Sequence, residues 1–291
     1  MAGGEYMMCK KYSLGLYEKA MPDLSFEEKL TITKECGFDC MEISIDETDK
    51  KLSRLDDPSV IAEIRAAMDK TGVPIRTMCL SGHRKYPFGS HDEATRTRSL
   101  EIMQKAVDFA AAIGIRIIQL AGYDVYYEEG DAETEALFRE NLGKAVSMAA
   151  EKGIILGFET METPFMDTVE KSMTYVKAIN SPYLGVYPDI GNLKNAAVLY
   201  GTDVATDIAS GDGHIFASHL KETKVGLYRD MLFGQADGHT EYESCLSELC
   251  RQGVRMFTGE FWYHGEENYI ENIKNASAFL REKIEDALAQ T

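Results

Sequence analysis

Three carboxylates and one imidazole occupy similar places in the second half of the sequence. Glu159 closes the run IILGFE, Asp189 follows LGVYP, His219 closes HIFASH, and Glu260 follows RMFTG. Each stands at the end of a short β-type run. Carboxylate oxygens and a neutral imidazole nitrogen form an oxygen-rich, hard-leaning donor set. Such a set suits Mn²⁺, also Mg²⁺ or Co²⁺, and can hold Zn²⁺ with open positions. No cysteine belongs to it, which argues against a structural zinc site. Three carboxylates exceed what one dication needs, so chemistry in which a ligand carboxylate also acts as base is favoured. One carboxylate at a strand end more often caps the next helix or pairs with a lysine; four ligand-type residues on four successive strands favour one metal centre. His214, at the start of its strand, reads as structural.

A second group is basic. CLSGHRKYPFGS places His83, Arg84 and Lys85 in a row, in a chain whose formal net charge is −17. They read equally as a solvated, salt-bridged loop or as contacts for a substrate anion. LYEKAMP adds Lys19, and HLKETKVGLYRD adds Lys221, Lys224 and Arg229. Tyr123, Tyr126 and Tyr127 in GYDVYYE are candidates for a pocket wall or for loop packing, and Glu42 is a candidate contact for substrate hydroxyls. Neither a Ser/His/Asp triad nor a phosphate-cradling P-loop is present.

The elements that must position these residues are marked by punctuation. A helical pattern ends on glycine, and a β-type run follows at once, at Gly37, Gly72, Gly114, Gly153, Gly213 and Gly253. Glycine suits the residue after a helix because that place often needs φ > 0. Ser181-Pro182 makes a seventh junction, and YSLGLY supplies a first strand with no helix before it. Ser25 with Glu28, Asp167 with Glu170 and Thr240 with Glu243 fit capping boxes. Leu100, Met103, Ala106, Val107, Ala110 and Ile113 fall on one helical face. Segments 59–71, 132–152, 194–211 and 266–286 also read as helices, the third least regular near Gly201. Eight strands alternating with eight helices predict an α/β chain with a parallel sheet closed into a (β/α)8 TIM barrel, in a single domain over residues 1–291. A doubly wound open sheet is the alternative, weakened by the lack of a Gly-x-Gly-x-x-Gly after the first strand. In such barrels the C-terminal strand ends carry the chemistry, which is where Glu159, Asp189, His219 and Glu260 fall.

The strong negative charge disfavours nucleic acid as a partner, while a small anion needs only a local cluster of donors. The six cysteines (Cys9, Cys36, Cys40, Cys79, Cys245 and Cys250) form no CxxC pair and read as reduced core residues of a cytoplasmic enzyme. The stretch MAGGEYMMCKKYSLG lacks the apolar run of a signal peptide, and no stretch is apolar for long enough to span a membrane.

At these residues the chain resembles the xylose-isomerase-like sugar-phosphate isomerases and epimerases, and most of all the L-ribulose-5-phosphate 3-epimerases, also called L-xylulose-5-phosphate 3-epimerases. The resemblance covers nearly the whole chain and is most specific in GLYEKAMP, MEISIDETD, CLSGHRKYPFGS, QLAGYDVYY, YPDIGN and HLKETK. It implies one divalent metal held by Glu159, Asp189, His219 and Glu260, with Glu159 and Glu260 as the acid/base pair. It also implies a sugar-phosphate substrate, a bacterial cytoplasmic enzyme of L-ascorbate degradation, and a homodimer. Free-ketohexose 3-epimerases carry a histidine three residues after the ligand aspartate and an arginine six after the ligand histidine. Asn192 and Val225 stand there, which points to the phosphorylated-pentulose branch and makes Asn192 a candidate substrate contact. FGQADG (233–238) departs from the acidic, glycine-containing loop expected there. A 3-epimerase of free ketoses and a 1,2 aldose–ketose isomerase are the alternatives on the same scaffold.

Overall fold

The computed structural model describes residues 11–290; Cys9 and most of the stretch read for a signal peptide lie outside the described residues. The strands are β1 (Ser13–Tyr17), β2 (Cys40–Ile45), β3 (Ile75–Leu80), β4 (Ile117–Ala121), β5 (Ile155–Glu159), β6 (Leu184–Val186), β7 (Ser218–Leu220) and β8 (Met256–Gly259). Ten helices accompany them among the described residues: α1 (Phe26–Glu35), α2 (Asp49–Leu52), α3 (Pro58–Thr71), α4 (Glu93–Ile113), α5 (Ala132–Glu151), α6 (Val169–Ile179), α7 (Ile190–Tyr200), α8 (Val204–Ala209), α9 (Tyr242–Arg251) and α10 (Tyr269–Gln290). All strand pairs are parallel, in the order β6-β5-β4-β3-β2-β1-β8-β7.

The ring closes between β6 and β7 by isolated bridges rather than a ladder. These are Val186 with Ile215 and Asp189 with His219, made by Val186 N to His214 O (2.9 Å), Phe216 N to Val186 O (3.0 Å) and His219 N to Pro188 O (2.9 Å).

Successive strand residues face opposite sides, and this alternation sorts the side chains. Leu14, Leu16, Met41, Ile43, Ile45, Leu156, Phe158 and Phe257 join the main core under the helices. The other parity turns into the barrel. Ile117, Tyr187 and Ala217 form a separate interior cluster with Ile155, Phe216 and Met256. Above these, Glu42, Gln119, His219 and Thr258 give the interior a buried polar layer. Gly157 makes room for it: a Cβ there would sit 2.9 Å from Tyr187 Cβ.

The six glycines that end helical runs all have positive φ. Ser25 and Glu28 form the expected capping box on α1. Two other expected boxes do not form, because tertiary contacts take their residues. Asp167 pairs with Lys171 at 2.6 Å, and Thr168 caps α6 instead. Thr240 donates to Lys221 O at 2.9 Å, and Glu241 precedes α9 without a side-chain cap. The helix expected over 194–211 is two, α7 and α8, broken at Gly201 where φ is 67°. The described cysteines are buried and free.

Candidate metal centre and active site

Four strands deliver the four expected ligands to one point. Glu159 is the last residue of β5, and His219 lies inside β7. Glu260 follows β8, anchored by its N–H donating to Leu220 O at 2.9 Å. Asp189 is the N-cap of α7, and its Oδ1 accepts from Asn192 N at 2.8 Å. One donor atom from each residue lies within 4.8 Å of all the others, and all four residues are buried. Donors about 2.0–2.6 Å from a shared cation are separated by at most about twice that distance, so the spacing fits one ion. His219 turns Nδ1 to the centre, 3.3 Å from Glu260 Oε2 and 3.7 Å from Glu159 Oε1. Lys221 Nζ stands 2.9 Å from Asp189 Oδ2 and 3.3 Å from Glu260 Oε2. Yet both oxygens are buried without a hydrogen bond: they are close enough for ion pairing but lack the geometry for a bond. Orphaned carboxylate oxygens converging on one point are what a cation would satisfy. This buried acidic and histidine cluster has the composition and spacing to hold a metal ion.

The electrostatics agree. Burial and the neighbouring Glu260 push the Asp189 carboxyl up to about 7, against the pull of Lys221. Burial works to raise Glu260 as well, but Lys221 and His219 outweigh it and hold that carboxyl well below the usual range. The two lie too close for both to ionise freely, so one rises while the other falls. Burial raises Glu159. Burial opposes the charged form of His219, but Glu42 and Glu260 carry it well above the ordinary imidazole value. A cluster that holds protons in this way can exchange them for a dication.

The centre opens into a small cavity lined by Glu159, Glu260, Lys221, Arg84, Trp262 and Tyr17 among others. Residues 30–283 match the family described as xylose isomerase-like TIM barrel. The chain belongs to that family. It is 40% identical over 284 residues to the L-ribulose-5-phosphate 3-epimerase UlaE of Salmonella heidelberg (strain SL476), an alignment covering 97% of this chain and 98% of that protein. Among solved structures, a D-tagatose 3-epimerase-like protein superposes with a TM-score of 0.77 at 18% identity, over 96% of this chain and 99% of the other. An L-ribulose 3-epimerase superposes with a TM-score of 0.75 at 17% identity, over 96% of each.

On this xylose isomerase-like barrel, Lys19, Arg84, Asn192, Lys221 and Arg229 line the cavity. Lys19 pairs with Asp46 at 2.7 Å and Arg229 with Glu162 at 3.5 Å. Arg84 lies over the Tyr126 ring, 4.9 Å from its centroid, and its buried Nε has no partner. The amide nitrogen of Asn192 donates to Thr160 O at 2.8 Å, leaving Oδ1 buried and unpaired.

Three expected substrate contacts are placed elsewhere. Glu42 lies beneath the cavity, fully buried, because His219, Thr77 and Tyr187 take its oxygens. His83 is buried against Phe88 and bonds Ser99 O at 3.2 Å; burial drives its pKa down to about 4, so it brings no charge. Lys85 stays outside, its Nζ 5.3 Å from the Tyr86 ring centroid. Lys224 also turns away, to Asp237 at 2.9 Å. The wall also takes in Tyr17, Ser81, Glu162, Tyr228 and Trp262, which the spacing of charged residues in the sequence does not point to. Trp262, the single tryptophan of the chain and two residues past the expected ligand Glu260, is the one its sequence position marks.

Proposed function

We propose that this chain is a metal-dependent 3-epimerase that interconverts L-xylulose 5-phosphate and L-ribulose 5-phosphate, with residues 1–291 forming one TIM-barrel domain. The observation that carries the reading is two buried glutamates, from β5 and β8, flanking one centre with Asp189 and His219 between them. The curated relative's name supports the substrate. Glu159, Asp189, His219 and Glu260 would hold a dication, which would supply the Lewis acidity that polarises the ketose carbonyl and makes the C3 proton acidic. Inversion at C3 then needs a base on one face and an acid on the other. Glu159 and Glu260 approach the imidazole Nδ1 from different strands, so one takes the proton and the other returns one to the opposite face. In the reverse reaction they exchange roles. Asp189 and His219 act as ligands only. The Lys221 ammonium offsets the surplus of carboxylates and faces the substrate.

Arg84 takes the 5-phosphate. The other cavity cations, Lys19, Lys221 and Arg229, each lie within 4 Å of a carboxylate, whereas Arg84 has no ion pair among the described residues. Asn192 Oδ1 accepts from a substrate hydroxyl. The same reading gives Mn²⁺ or Zn²⁺ as the metal, ahead of Mg²⁺ or Co²⁺, and a cytoplasmic homodimer acting in L-ascorbate degradation. No helix among the described residues is long and apolar enough to cross a membrane.

The test is to incubate the purified protein with Mn²⁺ and a panel of pentulose 5-phosphates and follow C3 by NMR. Inversion at C3 is expected. Formation of an aldose instead would make the protein a 1,2-isomerase, and equal turnover of free pentuloses would remove the phosphate site.

A further inference from the structure

The polar layer beneath the cavity has a single focus. Glu42 lies on β2, in the otherwise apolar-rich run CMEISI, and is fully buried. Its Oε1 is 2.6 Å from His219 Nε2, on β7 and 177 residues away. Its Oε2 accepts from Thr77 Oγ1 at 2.7 Å and from the Tyr187 hydroxyl at 2.9 Å, and that hydroxyl lies 2.9 Å from Thr258 Oγ1. Thus β3, β7 and the end of β6 send donors to one carboxylate on β2, and β8 supports one of them. Burying a carboxylate is costly unless its oxygens are fully bonded. Two hydroxyls could satisfy each other with no carboxylate present. The partner that gains from a charged acceptor is the imidazole.

We propose that Glu42 is the positioning residue of the metal centre: it holds the Nε2–H of His219 and so presents the Nδ1 lone pair to the ion. This rests on the metal reading above. The geometry shows why the arrangement is needed. An imidazole attached through Cβ can swing about its terminal torsion, which is broad in side chains of this kind. Here the ring is held from below by Glu42, while the Tyr187 ring meets it edge-on, with centroids 5.1 Å apart. With Nε2 committed to Glu42, Nδ1 faces Glu159 and Glu260 and lies 3.2 Å from Gln119 Nε2, a neutral amide that an ion would displace from the lone pair. A carboxylate accepting the second N–H also makes the imidazole a stronger donor. Glu42 touches no substrate, so it acts through His219 alone.

The test is Mn²⁺ titration of the full-length apoprotein, together with the visible spectrum of the Co²⁺-loaded form, for wild type, Glu42→Gln and Tyr187→Phe. Glu42→Gln keeps the shape and removes the charge; Mn²⁺ affinity should fall roughly 10- to 100-fold, as for other partners of metal-bound histidines, and the Co²⁺ bands should shift. Tyr187→Phe removes one donor to Glu42 and should weaken Mn²⁺ binding about 2- to 10-fold. A purely structural Glu42 would change the unfolding midpoint of the apoprotein and leave the Co²⁺ spectrum of folded protein as it was. Wild-type affinity and spectrum in both variants would overturn the assignment while leaving the metal site intact. If Glu42→Gln does not fold, Tyr187→Phe decides alone, and wild-type values there overturn it. A wild-type protein that binds neither ion would remove the metal reading and this inference together.

Discussion

Two buried charge clusters sit on the two sides of the barrel wall, and they are unbalanced in opposite senses. Outside β1 and β2, the Glu18 carboxylate is held by Lys29, Lys51 and Arg54, each at 2.8 Å, and accepts from Ser44 N at 2.9 Å. Neither of its oxygens is left over. Inside the mouth, Glu159, Asp189 and Glu260 face one lysine and one histidine, and two of their oxygens have no hydrogen bond. Burial raises both sets of carboxyls. Around Glu18 the three cations overcome it and hold the carboxyl well below its ordinary value, whereas Asp189 is pushed up to about 7. A buried carboxylate is therefore no sign of function by itself. A saturated one ties the β1–α1 loop to its neighbours, and an unsaturated group of them has the spacing to hold a metal ion.

The sharpest break between the two clusters should come from charge-removing substitutions. Glu159→Gln and Glu260→Gln should each lower kcat for epimerisation by roughly 10²- to 10⁴-fold, the usual worth of a positioned acid or base. In D₂O, each metal-loaded variant should wash label into C3 of one substrate epimer and not the other. Exchange of the same epimer by both variants would show that the glutamates do not divide the two faces. Glu18→Gln should do the reverse. It strands three cations and should cost about 3–5 kcal/mol of stability in chemical denaturation, with kcat per folded molecule retained; unchanged stability would mean the cations re-pair with water.

Arg84 sharpens the contrast on the cation side, since among the described residues it has no carboxylate within ion-pair distance, unlike every cation around Glu18. Arg84→Ala should raise KM for the sugar 5-phosphate roughly 10- to 150-fold, the range for losing a charge-assisted hydrogen bond. Steady-state kinetics with the free sugar should show a far smaller change.

The smallest expected effect is the pH dependence, and the clusters differ in its sign. The raised Asp189 carboxyl, with an unfolded value of about 3.9, contributes stability that is present at low pH. That stability is lost in the metal-free protein as pH rises from about 4 to about 7. The depressed Glu18 carboxyl contributes stability present above its unfolded value of about 4.3 and lost as pH falls below it. Protons on Asp189 compete with the ion, so the apparent Mn²⁺ affinity should weaken about tenfold per pH unit below about 7 for each proton displaced. Calorimetric titration at several pH values checks this; a flat profile would mean that no proton leaves.

Much of this was legible in the chain because the signals were local. Helix-ending glycines gave the alternation of elements, and the order of strand ends brought Glu159, Asp189, His219 and Glu260 to one mouth. What was not legible depended on register across the barrel. That Glu42 meets His219 rather than substrate follows from which face of β2 turns inward and how far up β7 the histidine sits, and neither is written near residue 42. His83, Arg84 and Lys85 looked alike in sequence, yet the turn of 3₁₀ helix at 81–84 buries the first, aims the second at the cavity and releases the third. Asp167 and Thr240 carried good capping chemistry that tertiary partners claimed first.

The joint between β6 and β7 is the mechanically thin place in the ring. Every other neighbouring pair in the ring is sewn by a run of paired residues, while this one is held at two points, one of them Asp189 against His219. An ion gripped by both residues would act as a rivet through the weakest place in the hoop. Removing it would leave a seam whose amides open at lower free energy than those of β2 and β3, so hydrogen exchange at the amides of Val186, Tyr187, Asp189 and residues 215–219 would report whether the rivet is in place without any substrate being turned over.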